Sequence, residues 1–226
     1  KDLKIGIVSD FKQTDAFWEF VDLLKDEVQK TVGNKVVVID KSAVIASDGD
    51  VETAKAAYKT LAKKVDFMLL LGTVSTHVAV VLPNLPVPTI ALGVMDRDLQ
   101  GLPLTANETS GKPNFTYVLT SRDYRKDISS FLDVVPFTKL GVIVDSKPKE
   151  VFNEVSVINK IKGIEDSLNI EIEFYEVKES GEATLSNVVE GTDALLLSFQ
   201  LLQADEVEDL TTEIIKRNIP SFSMSK

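Results

Sequence analysis

The segment with the best claim to bind something is Gly72-Thr73-Val74-Ser75-Thr76. A glycine ends an apolar run there, and hydroxyl side chains stand where a helix would begin. Free N–H groups and the positive end of the helix dipole can hold a carboxylate or another anion at such a place. Thr73 or Ser75 capping the helix explains the same residues without any ligand. Asp10-Phe11, Asp96-Arg97-Asp98 and Asp145-Ser146 also follow strand-like runs, and the ends of strands are where ligand-facing loops begin in α/β sheets. An aspartate there can take an ammonium or a hydroxyl, and Phe11 or Phe199 can stack on an apolar or aromatic ligand. The same residues also serve as plain turn formers.

Catalytic signals are missing. There is one histidine and no cysteine among 226 residues, and no nucleophile elbow or Ser/His/Asp order is present. No Gly-rich dinucleotide or NTP loop occurs. His77, set among Val78, Val80 and Val81, reads as a core or groove histidine, and Asp48-Gly49-Asp50 lacks the remaining ligands of a calcium loop. No metal or cofactor is expected, and the chain reads as a non-enzyme.

Composition points the same way. At 44% hydrophobic and 27% charged residues the chain is globular, and it is long enough to bury a core without staples. The net charge of −10 opposes phosphate-backbone and anionic-membrane binding, so no nucleic-acid partner is expected. The apolar stretch 67–82 is too short and too polar to span a membrane. The charge is uneven, with net −2 over residues 1–121 and net −8 over 122–226.

The elements that must position these residues can be read from periodicity. Residues 3–9 form a strand pattern; 14–32 carry apolar residues at helical spacing, with Phe17, Trp18 and Phe20 read as core. A strand over 35–40, a Ser/Asp/Gly turn, a helix over 51–64, a buried strand over 65–71, a helix from Gly72 and a strand over 87–94 follow. Residues 114–120 alternate like a strand, and 124–135 are helical. Such β-α alternation is the pattern of a doubly wound parallel sheet.

The second half repeats the first. Lys139 to Asp145 echoes Lys4 to Asp10, Thr192 to Leu197 echoes Val65 to Leu70, and Ile219-Pro220-Ser221-Phe222 echoes Val87-Pro88-Thr89-Ile90, in the same order. The fold class expected is therefore α/β, with two Rossmann-like three-layer lobes, residues 1–120 and 121–226, and mainly parallel sheets. The second copy stops soon after Pro220, with a strand drawn to Lys226, and reads as an incomplete lobe of a longer protein.

These residues resemble the ABC-transporter substrate-binding proteins of periplasmic-binding-protein type I architecture. The matching segments are Val65 to Thr76, Pro86 to Asp96, Gly101-Leu102, Asn114-Phe115-Thr116 and Lys139 to Asp145. The resemblance implies two lobes that close on a small ligand, amino-acid-like or anionic, in a periplasmic or extracytoplasmic setting with a membrane-anchored full-length form. Thr73, Ser75 and Thr76 would bind an anionic group with Gly72, Asp10 and Asp96 would be first-lobe cleft residues, and Asp145 and Ser198 would face them. The sequence departs from the family at Ser198-Phe199-Gln200, which replaces an Asp-containing loop, and at Arg97. Its last residues look more like a module placed ahead of an outer-membrane efflux protein. The partners implied are an ABC permease or an outer-membrane channel domain. A scaffold or sensor that binds a partner protein instead of a solute, through its acidic second lobe, is the alternative.

Overall fold

A computed structural model describes residues 2–120, 123–145, 149–198 and 204–223. The chain divides into two compact units. One holds residues up to 121 together with Glu150–Asn153, and the other holds the rest.

Unit 1 runs β1 (Leu3–Ser9), α1 (Asp15–Thr31), β2 (Val37–Val38), a 3-10 turn (Lys41–Ala43), β3 (Val44–Ala46), α2 (Val51–Leu61), β4 (Phe67–Leu71), α3 (Thr73–Val81), β5 (Thr89–Val94) and β6 (Phe115–Leu119). The strands are parallel in the order β2-β1-β4-β5-β6, and β3 joins β1 beyond β2. Strand β3 lies where the sequence suggested only a turn. The Asp40 carboxylate accepts from the Ser42 N–H at 2.7 Å and so sets a brief 3-10 turn, after which Val44, Ile45 and Ala46 return to pair with Ile7, Val8 and Ser9.

Alternation along the strands builds the layers. Ile5, Ile7, Leu69 and Leu71 pack with Phe17 and Val21 of α1. Val8, Met68 and Leu70 belong to the core of α2 and α3, with Ala54, Tyr58, Val74 and Val78. Only part of the aromatic cluster of α1 is core. Phe17 is buried, Trp18 packs against that core, and Phe20 is 45% exposed, because the inward stripe runs Phe17 to Val21 and leaves Phe20 on the flank.

Unit 2 runs α4 (Tyr124–Val134), β7 (Lys139–Val144), α5 (Glu154–Leu168), β8 (Glu171–Glu176), α6 (Gly181–Leu185), β9 (Ala194–Ser198), α7 (Ala204–Lys216) and β10 (Ser221–Ser223). Its parallel order is β10-β9-β7-β8. This corresponds to β5-β4-β1-β2 of unit 1. The expected α/β class, with parallel sheets and helices, is therefore what the chain forms. Residues 224–226, included in the strand read at the end of the sequence, lie outside the described residues.

The internal repeat holds to individual hydrogen bonds. The Asp66 N–H donates to Lys4 O at 2.8 Å and the Asp193 N–H to Lys139 O at 2.9 Å, while Met68 N–H to Pro88 O and Leu195 N–H to Pro220 O are both 2.8 Å. Gly6 and Gly141 occupy equivalent places too. A Cβ on Gly6 would lie 3.2 Å from Met68 Sδ and Val65 Cγ1, and one on Gly141 would lie 2.8 Å from Leu195 Cδ2 and 3.1 Å from Thr192 Cγ2.

Candidate functional site

The C-terminal ends of β1, β3, β4 and β5 place Asp10, Ser47, Gly72 to Thr76 and Asp96 along one edge of unit 1. Gly72 leaves β4 at φ +111° and brings the chain against Asp10, so closely that a Cβ would lie 2.4 Å from Asp10 Oδ2. Gly93 of β5 backs the same point. Its Cβ would lie 2.4 Å from Gly72 N. Both positions therefore require a residue without a side chain.

The start of α3 has no cap of its own. Gly72 is the N-cap residue and supplies no side chain, and neither Thr73 nor Ser75 takes that role. Asp10 does so from a distant strand. Its Oδ2 accepts from the Val74 N–H at 2.7 Å, and its Oδ1 accepts from the Ser75 N–H at 2.8 Å, from the Ser75 hydroxyl and from the Ser47 hydroxyl at 3.0 Å. The carboxylate of Asp10 thus sits where the sequence reading put a ligand anion. Burial is the largest influence on Asp10 and pushes its carboxyl above the ordinary range, against the opposing effect of the Ser75, Val74 and Ser47 donors. Its surroundings leave it little freedom to meet a ligand ammonium. Phe11 next to it is 43% exposed.

Other polar groups at this edge have no hydrogen-bond partner among the described residues. Thr73 Oγ1, Thr76 Oγ1, His77 Nδ1 and Gln100 Nε2 are buried without a hydrogen bond, in residues of which Thr73, Thr76 and Gln100 are 6%, 1% and 3% exposed. Unpaired buried polar atoms are rare enough to need a reason. Asp96 shapes the loop that carries Gln100. Its Oδ1 accepts from the Asp98 and Leu99 N–H groups at 3.0 Å, and Gln100 Oε1 accepts from the Met95 N–H at 2.9 Å. His77 is held toward its neutral form chiefly by burial, with Lys55 adding to the effect and Glu150 opposing it.

In unit 2, Asp145 follows β7 and is half-buried, and Ser198 ends β9 beside Val144. Asp145 and Ser198 therefore share one edge of the second sheet. Gln200, Phe199 and Ser146 lie outside the described residues.

Two contributors escaped the sequence. Ser47 follows the unrecognised β3, so its approach to Asp10 had no visible cause. Gln100 acquires its place only through the turn that Asp96 sets. The arrangement offers hydroxyls, an amide and an imidazole, which suits holding a small molecule by hydrogen bonds. Among the described residues no group of three His, Cys, Asp or Glu could hold a metal ion, and no described helix is long and apolar enough to cross a membrane.

No family model and no curated protein matches the chain. Solved structures do. The ABC domain from Streptococcus pneumonia in complex with L-Trp aligns with a TM-score of 0.74 at 15% identity, over 100% of this chain and 75% of that one. A fatty acid ABC transporter substrate-binding protein from Thermomonospora curvata aligns at 0.71 and 16% identity, over 99% and 57%. The transcription regulator CcpA of Lactococcus lactis aligns at 0.60 and 14% identity, over 99% and 78%. The chain has the fold of type I periplasmic binding proteins.

Proposed function

We propose that this chain is an extracytoplasmic ligand-binding module, not an enzyme, which takes a small molecule at the C-terminal ends of its strands and serves an ABC-type uptake system. The observation that carries this reading is the set of buried polar atoms on Thr73, Thr76 and Gln100 that have no hydrogen bond among the described residues, at the edge where open α/β sheets bind ligands. A substrate-binding protein, an extracellular ligand-binding receptor and an ABC domain in complex with L-Trp are among the structures that share the fold. An amino-acid-like molecule is accordingly the first class to test. Asp145, Ser198 and Gln200 are the ligand-binding residues proposed for unit 2. An ABC permease or a channel domain is the proposed partner, and a full-length protein anchored at the membrane outside the cytoplasm is the proposed setting.

The test is a thermal-shift screen of amino acids, nucleosides and small carboxylates, with calorimetry on any hit. Saturable binding weakened about tenfold by Thr73→Ala, the loss expected for about one hydrogen bond to a ligand, supports the reading. A screen without any hit removes it.

A further inference from the structure

The outer edges of the two sheets are finished differently. In unit 1 the strand beside β1 is broken, since β2 pairs only Val37 with Leu3 and Val38 with Lys4, and β3 takes over after the 3-10 turn. Gln29 of α1 closes that edge with both ends of its amide. Its Oε1 accepts from the Val37 N–H at 2.8 Å, and its Nε2 donates to Lys35 O at 2.7 Å. In unit 2, β8 is the outermost strand among the described residues and pairs with β7 without a break from Glu171 to Glu176. Glu165 of α5 stands in the place of Gln29. Its Oε1 accepts from the Ile172 N–H at 2.8 Å, but a carboxylate has no hydrogen to give to a carbonyl.

Alternation fixes what the rest of this edge offers. The Glu171 N–H donates to Thr138 O and the Val177 N–H to Val144 O, so the odd residues of β8 bond to β7. The C=O of Ile172 and both backbone groups of Phe174 therefore point outward. Side chains alternate between the faces as well. Ile172 packs against the core that holds Ile164 of α5, which puts Phe174, 49% exposed, on the α5 face. Ile158, 54% exposed, lies two turns before Glu165 on the same side of α5 and flanks the same edge. The opposite face carries Glu171 and Glu173. One ammonium serves both carboxylates, with Lys139 Nζ 2.9 Å from Glu173 and 3.8 Å from Glu171, in a region of net −8. A strand laid here would meet outward amide groups along its backbone, apolar surface on one face and surplus negative charge on the other. A second copy of β8 would set glutamates against glutamates, which is unfavourable across a strand pair.

We propose that the outer edge of β8 is a docking site for an extended segment of a partner protein in which apolar and basic residues alternate, added to the sheet as a further strand. This does not depend on the ligand-binding reading above.

The probe is a hexapeptide of alternating valine and lysine, blocked at both ends, titrated into the full chain and followed by amide chemical shifts. Saturable shifts centred on Ile172 to Glu176 are expected. They should require about tenfold more peptide when it is N-methylated throughout, or when Phe174→Pro removes an N–H that β7 does not use. A hexapeptide of three valines followed by three lysines should bind more weakly, and one alternating valine with glutamate should not bind. Shifts outside β8, or none, overturn the proposal. So does equal binding by the N-methylated, the reordered or the glutamate peptide, and these arms hold even if Phe174→Pro fails to fold. A dimer of the chain alone that Phe174→Pro dissociates gives the edge to a second copy and overturns the partner assignment.

Discussion

Units 1 and 2 answer the same topological problem in different ways at equivalent helix starts. In unit 1, α3 carries no acidic residue in its first turn, and a buried aspartate from β1 supplies the negative charge. In unit 2, α7 carries Asp205 and Glu206 in its own first turn. A helix start can be compensated from within or from outside. Compensation from outside ties β1, β3 and α3 into one cross-linked edge, and it is this edge that holds the unpartnered hydroxyls. The difference teaches that the repeat copies the scaffold closely and the polar edge loosely.

The largest effect should come from Gly93→Ala. The new Cβ meets backbone atoms of Gly72 at 2.4 to 2.7 Å, with no flexible side chain to yield, and a loss above about 4 kcal/mol in chemical denaturation is expected. A well-folded variant would break the claim that this edge is built by close backbone approach. Next, Asp10→Ala should cost about 3 kcal/mol, since it strands two buried N–H groups and two hydroxyls. Asp205→Ala, at an exposed position in the first turn of α7, should cost less than about 1 kcal/mol. Equal losses would erase the distinction between the two units.

Much of this was legible in the sequence, and the reasons are physical. The echo of Lys4 to Asp10 in Lys139 to Asp145 reported a real structural repeat because buried parallel strands leave few choices: a glycine under a neighbouring side chain, alternating branched residues, and a lysine whose carbonyl accepts the N–H of the aspartate that precedes the neighbouring strand. Gly72 to Thr76 was visible as a helix start because glycine followed by hydroxyl residues has few other uses. The role of Asp10 was not legible. It depends on a contact with residues more than sixty positions away, and a strand-end aspartate looks the same whether it meets a ligand or a helix. Strand β3 was missed because three residues carry no periodicity, and Ser47 was lost with it. Phe20 was misplaced because a flank position differs from the inward stripe by a single residue step.

A smaller effect separates the paired glycines. Gly141→Ala should destabilise more than Gly6→Ala, by about 1 kcal/mol, because its Cβ would come within 2.8 Å of Leu195 Cδ2 and 2.9 Å of Tyr175 Cε2, whereas Gly6 has 3.2 Å of room. The smallest expected difference lies in pH dependence. Burial raises the Asp10 carboxyl above its ordinary 3.8, so the folded unit holds that proton more readily than the unfolded chain. The contribution to stability is full below 3.8 and is lost as pH rises through the raised value. Asp193 is lowered from 3.8 by the Thr138 and Lys139 N–H groups and the Thr138 hydroxyl, so its contribution is present above 3.8 and is lost as pH falls through the lowered value. Hydrogen exchange resolved by unit from acid to neutral pH should show opposite slopes removed by Asp10→Asn and Asp193→Asn. Slopes of one sign would contradict the contrast.

The most direct test of the central claim is an amide chemical-shift titration of the chain with the amino-acid panel, starting from L-tryptophan. Binding as described predicts saturable shifts concentrated at Thr73 to His77 and at Asp96 to Gln100, with the N-terminal ends of the strands unmoved. Shifts gathered elsewhere, or no shift with any member of the panel, would contradict it.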